Sequence, residues 1–247
     1  MLGNRFGNIQ TITSSPFVPT DIAGCVLWLD GSDPLGNGTP PADNTALQFW
    51  VDKSVNSNTF SQSNAGKRPV YKTNIQNSLG VVNFTPLLLF DSSSANLFPT
   101  GNAVRSLFAV FYLRNDVDQA GTLFYTGDIS SVPLQFSLEV NSGDYFVKCG
   151  SDRSGGSPTT NTWYYFGLNS NAGVISADYT FTQNSSPVTL VAPAGSPNTA
   201  LTQLNVGGFN NGGQVDGYIA EILYYNVSLT SGQMTNVNNY LANKWGV

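Results

Sequence analysis

The chain has 247 residues and a formal net charge of −5, with charged residues at only 10%. An average domain carries about 25% charged residues, and here asparagine (27), serine (26) and threonine (21) take their place. Glutamate, lysine and arginine cover exposed helix faces, so their scarcity excludes a helix-rich protein. Aromatics at 12% and apolar residues at 40% suffice for a large core and exclude a disordered chain.

Histidine is absent. That removes Ser-His-Asp triads, Cys-His nucleophiles and His-ligated zinc together. Lys67-Arg68 is the one adjacent basic pair, so no phosphate-tracking stripe exists and nucleic acid is not an expected partner. The longest apolar run, residues 107–113, is far short of the roughly 20 residues of a membrane-spanning helix, so no membrane insertion is expected. The opening Met1-Leu2-Gly3-Asn4-Arg5 has no apolar segment of a secretory leader, and none is expected.

Residues 1–20 are polar, carry Pro16 and Pro19 and show no period. They read as an extended arm, with Ile9, Ile12, Phe17 and Val18 as apolar spots for docking on a neighbouring molecule. The remainder, 21–247, reads as one domain. Residues 24–29, Gly-Cys-Val-Leu-Trp-Leu, form an apolar run of strand length, buried on both faces. Strands are then expected at 47–51, 70–71, 81–84, 87–90, 105–114, 121–125, 134–140 and 144–149. Within 135–140 the alternation of Gln, Phe, Ser, Leu, Glu and Val predicts polar side chains outward and apolar ones inward. Further strands are expected at 162–168, 173–182, 188–191, 201–206 and 218–225. About a dozen strands with short turns predict an all-β, antiparallel two-sheet jelly-roll sandwich.

One helix is expected at the end. Thr230-Ser231-Gly232-Gln233 fits a capping box. Met234, Val237, Leu241 and Trp245 follow as one apolar stripe beside Tyr240, with Lys244 and Gly246 as its stop signals.

Several segments together resemble the concanavalin A-like lectin/glucanase superfamily, in its laminin-G-like branch. The residues that carry the likeness are Val215-Asp216-Gly217-Tyr218-Ile219-Ala220-Glu221-Ile222-Leu223-Tyr224-Tyr225-Asn226 and the ending Tyr240-Leu241-Ala242-Asn243-Lys244-Trp245-Gly246. Leu27-Trp28-Leu29-Asp30, Trp50-Val51-Asp52-Lys53-Ser54-Val55-Asn56 and Leu204-Asn205-Val206-Gly207-Gly208-Phe209 add to it. The resemblance implies two curved antiparallel sheets and a buried strand over 216–226. Such a fold hosts many roles.

The candidate chemistry is sparse. The glucanase branch uses Glu-x-Asp-x-Glu on one strand, and that motif is missing. Glu139 and Glu221 are far apart, and the pairs Asp30/Asp33 and Asp116/Asp118 sit at turns, where aspartate is ordinary. Glu221 reads as structural, capping polar groups near a sheet edge. No enzymatic activity, cofactor, metal or catalytic residue is expected. Asp52 through Asn58 offers oxygen atoms at alternate positions, but lacks the bidentate Glu of a good calcium loop and reads as a polar turn. Cys25 and Cys149 read either as two buried thiols or as one disulfide. For a sugar site, Trp28 and Trp245 look buried, Trp50 and Trp163 partly exposed, and Tyr112, Tyr164 and Tyr165 are alternatives.

Two functions follow as expectations. The first is a minor structural component of a viral particle, attached through its arm to other structural proteins; laminin-G-like domains with short arms occur in large DNA viruses and phages. The second is a lectin-like carbohydrate-binding module at a cell or virion surface, with a glycan as partner.

Overall fold

A computed structural model describes residues 15–92, 95–114, 121–128, 134–141, 144–148, 152–156, 158–170, 179–189, 191, 198–201, 203–208 and 213–247. The expected strand at 173–182 lies outside them up to residue 178, as do Asp116, Asp118, Cys149 and arm residues 1–14.

In chain order the strands are β1 (Cys25–Asp30), β2 (Phe49–Trp50), β3 (Phe60–Ser61), β4 (Val70–Gln76), β5 (Leu79–Phe84), β6 (Phe90–Ser92), β7 (Ser106–Leu113) and β8 (Gly121–Gly127). They continue as β9 (Gln135–Asn141), β10 (Asp144–Lys148), β11 (Asp152–Gly155), β12 (Trp163–Ser170), β13 (Tyr179–Gln183), β14 (Ser186–Val188), β15 (Gln203–Val206) and β16 (Gly217–Tyr225). Helix α1 (Ser231–Trp245) closes the chain. The first sheet runs β14-β13-β12-β7-β16-β5-β4, with β1 also paired to β16; the second runs β11-β10-β9-β8-β15-β6-β3-β2. The pairings are antiparallel, and the fold is the expected two-sheet sandwich with one C-terminal helix.

The alternation of each strand sorts its side chains between two apolar layers. Phe111, Ala109 and Leu107 of β7, Ile219, Ile222 and Tyr224 of β16, and Phe124, Phe136, Leu138 and Leu204 of the second sheet meet between the sheets. Phe108 and Val110 of β7, Leu223 and Tyr225 of β16, and Val81 of β5 face outward and pack beneath Val237, Leu241 and Trp245 of α1. Each large apolar side chain so buried contributes about 1.5–3 kcal/mol.

The capping box forms as the sequence predicts. Thr230 Oγ1 accepts from the Gln233 backbone N–H at 3.3 Å, and Gln233 Oε1 from the Thr230 N–H at 2.9 Å. Gly246 ends the helix at φ 67°, a left-handed conformation that glycine adopts without a Cβ clash. Gln76 and Asn77, at the β4–β5 turn, donate to the last helical carbonyls of Trp245 and Lys244.

One irregularity sets the phase of the central strand. Tyr218 and Ile219 face Tyr112 and Phe111, but the next partner of Val110 is Glu221, so Ala220 is an extra, bulged residue. Its carbonyl accepts the Gly31 N–H at 2.7 Å. A Cβ on residue 31 would lie 2.5 Å from that oxygen, so the close approach needs glycine. The bulge places both Tyr218 and Glu221 on the outward face, with Ile219 and Ile222 inward.

Three expectations need correction. Trp50 is fully buried, packed on Phe84 and Phe90, because β2 turns Trp50 inward and leaves Phe49 exposed. Trp28 is partly exposed, with its indole at the rim of the helix contact. In β9 the polar set Gln135, Ser137 and Glu139 does point away from the core yet is buried, so alternation gave the side and not the solvent. There Glu139 pairs with Lys148 at 2.9 Å and accepts from the Ser137 hydroxyl at 2.8 Å. The strands β3 and β11 were not anticipated, since two to four residues with a polar partner show no period.

Candidate functional site

The outward face of the first sheet is only partly covered by α1. One step beyond the helix-covered Val110 and Ala220, three strands bring aromatic rings into direct register. Trp163 of β12 is opposite Tyr112 of β7, which is opposite Tyr218 of β16; the next partner outward is Asn83 of β5. The ring centroids of Tyr112 and Trp163 are 5.4 Å apart, those of Tyr112 and Tyr218 5.6 Å, and Trp163 and Tyr218 lie near-parallel at 6.0 Å. Such cross-strand aromatic contacts hold the register of a sheet. All three residues are partly exposed.

Polar groups edge this row. The Tyr112 hydroxyl donates to Asn161 Oδ1 at 3.0 Å. The Arg114 guanidinium lies over the Tyr218 ring at 4.6 Å, pairs with Asp216, and donates to Asn83 Oδ1 and to the Phe84 carbonyl at 3.1 Å.

Of the residues singled out in the sequence, Trp163 and Tyr112 are brought together and stay accessible. Tyr164 points into the core, and Tyr165 lies on the outward face but is covered, its hydroxyl bonded to Ser185. Trp50 and Trp245 are buried. Tyr218, Arg114, Asp216 and Asn83 were not anticipated. Gly217-Tyr218-Ile219 does alternate, but the bulge at Ala220 shifts the phase between Tyr218 and residues 221–225, so the alternation of the longer run does not report the face on which Tyr218 meets Tyr112.

The remaining candidates are engaged in contacts within the fold. Glu221, fully buried, accepts from Trp28 Nε1 at 2.8 Å, Tyr240 Oη at 2.7 Å and Trp245 Nε1 at 2.6 Å, and pairs with Lys244 at 2.9 Å. Lys244 also reaches Asp30, and Lys53 joins Asp30 to Asp33. Burial raises the Asp30 carboxyl, but the charge and hydrogen bond of Lys244, with Ser32 and Lys53, outweigh it and hold the group at about 2. The Asp52 carboxylate accepts backbone N–H groups of Trp28, Ser54 and Asn58 at 2.8–3.0 Å, so its oxygens pin a turn. No group of three or more carboxylates or cysteines suited to a metal occurs among the described residues. Cys25 is a free, buried thiol, and burial, aided by the Asp52 charge, pushes it up to about 12.

No family model matches the chain, and no curated protein sequence does. Solved structures do share its fold. The Trypanosoma rangeli sialidase in complex with sialic acid aligns over 93% of this chain at 14% identity, with a TM-score of 0.54. The chain spans about a third (35%) of that sialidase. Domain 4 of AbnA, a GH43 extracellular arabinanase from Geobacillus stearothermophilus solved in complex with arabinotriose, aligns over 80% of this chain and all of that domain, at 12% identity and a TM-score of 0.54. These likenesses establish the sandwich architecture.

Proposed function

We propose that this domain is a non-catalytic, lectin-like module that binds a glycan on the row Trp163–Tyr112–Tyr218, at a cell or virion surface. The observation that carries the reading is the row itself: three partly exposed rings in register on a sheet face, rimmed by an amide, a hydroxyl and an ion pair. A sugar offers an apolar C–H face and a rim of hydroxyls. Ring faces take the first by dispersion and burial, and side-chain amides and hydroxyls, which donate and accept, take the second. An arabinotriose complex on a domain of the same architecture supports the reading.

The absence of catalysis belongs to the same proposal. Glycoside hydrolysis uses two carboxyl groups about 5–10 Å apart with separated pKa values, and the carboxylate at the row, Asp216, is engaged by Arg114. The test is a glycan array with the intact protein, followed by titration of the best ligand against Trp163→Ala. We expect saturable binding that weakens at least tenfold in the variant, with an unchanged circular dichroism spectrum. No glycan bound, or equal binding by the variant, overturns the reading.

A second reading, attachment to other structural proteins of a viral particle through the arm, draws on residues 15–18. Val18 is extended, and Phe17 packs edge-on against Tyr240 at 6.0 Å while Pro16 and Val18 stay exposed. In this reading that contact is the anchor, and residues 1–14 add a strand to a neighbour's sheet edge. Deleting residues 1–14 keeps the anchor; loss of particle incorporation with glycan binding retained supports this role, and full incorporation refutes it.

A further inference from the structure

We infer that the glycan taken by the aromatic row is neutral, and that sialylated or uronic-acid sugars are rejected there; the inference rests on the reading of the row as a glycan site. The argument starts from Arg114, the cation that lies on the row. Recognition of a ligand carboxylate relies on a guanidinium fork or an ammonium held ready for it. Here the fork is already taken: Nη1 serves Asp216 and the Phe84 carbonyl, Nη2 serves Asn83, and the guanidinium face rests on Tyr218. An incoming carboxylate would have to break that ion pair and then sit beside the Asp216 charge, a like-charge placement that suppresses the wrong ligand.

Other described cations are held elsewhere. Lys53 is held by Asp30 and Asp33, Lys148 by Glu139, and Lys244 by Asp30 and Glu221. Arg105 is fully buried on Thr199 and the carbonyls of Ala103 and Gly101. Arg68 is bonded to the carbonyls of Gln62 and Ser63, Lys72 to Asn44, and Lys67 lies in the field of Asp91. None of these residues belongs to the row. The net charge of −5 further disfavours the approach of anions over long range. What the row does offer is uncharged: the exposed parts of the Trp163 and Tyr112 rings, the Tyr112 hydroxyl and the Asn161 amide.

The experiment compares matched pairs that differ in charge, lactose with 3′-sialyllactose and galactotriose with trigalacturonate, inside an array spanning neutral, uronic and sialylated glycans. Each binder is titrated against wild type, Trp163→Ala and Asp216→Asn. The expected result is Trp163-dependent binding of neutral sugars, with acidic counterparts at least tenfold weaker. Asp216→Asn, which frees the guanidinium while keeping the side-chain shape, is expected to narrow that gap. Acidic glycans binding wild type as well as or better than neutral ones, with the binding lost in Trp163→Ala, overturns the inference and leaves the site standing. An Asp216→Asn variant with the gap unchanged also overturns it. If no sugar of either class shows Trp163-dependent binding, the reading of the row fails and the inference with it.

Discussion

The Trp245 indole N–H donates to Glu221 Oε2 at 2.6 Å, joining the last turn of α1 to the central strand of the first sheet. The other carboxylate oxygen takes the Trp28 indole and the Tyr240 hydroxyl. One buried anion thus gathers β1, β16 and the helix.

Glu221→Ala removes that anion, strands two indole N–H groups and a phenol, and leaves the Lys244 ammonium paired with Asp30 alone. Breaking a buried charge pair from one side costs about 3–5 kcal/mol, and chemical denaturation is expected to read a loss of that size. A loss below about 1 kcal/mol would mean that each donor finds water instead.

The helix is also held by its apolar stripe. Leu241 is fully buried between α1 and the outward face of the sheet. Leu241→Ala is expected to destabilise by about 2–5 kcal/mol, a transfer term plus a cavity term. Thermal or urea unfolding within half of about 1 kcal/mol of wild type would show that the helix is not packed there.

Asp30 sets an acid limit. Its folded-state pKa of about 2 lies below the ordinary 3.8, so the unfolded chain binds the proton first as the pH drops. The stabilisation is fully present above about pH 4 and is lost as the pH falls through about 2; it amounts to about 2 kcal/mol. In Asp30→Asn this acid-side contribution is expected to be absent. Stability curves of the two proteins with the same slope below pH 4 would refute the assignment.

Cys25 is expected to be inert. The thiolate is the reactive species, and a thiol raised to about 12 holds almost none near neutral pH. In Cys149→Ser, a thiol reagent at about pH 8 should label Cys25 only after denaturation. Rapid labelling of the native variant would contradict the burial.

Much of the fold was readable because its signals are local. The capping box at Thr230, the stripe through Val237 and Leu241, and the alternation in 135–140 each lie within a few residues. The errors came where phase or partner is set from afar. Trp50 sits in a strand of two residues, too short to reveal which of Phe49 and Trp50 faces inward. Trp28 meets Glu221 across 193 residues of chain, and no periodicity reports that. Of the candidate site, Trp163 and Tyr112 were legible as aromatics at strand ends, but their meeting depends on the β12–β7 register, and the third ring on the bulge at Ala220.

That bulge carries an evolutionary consequence. A regular strand shows one face at even spacings, so an outward tyrosine and an outward glutamate three positions apart are incompatible with it. Tyr218 and Glu221 share a face because one surplus residue is inserted between them and its carbonyl is received by Gly31. A descendant that deletes Ala220 must turn one of the two toward the core, and one that replaces Gly31 crowds the insertion. The aromatic row and the helix anchor therefore hang on one local irregularity, and a change at Ala220 or Gly31 disturbs both at once.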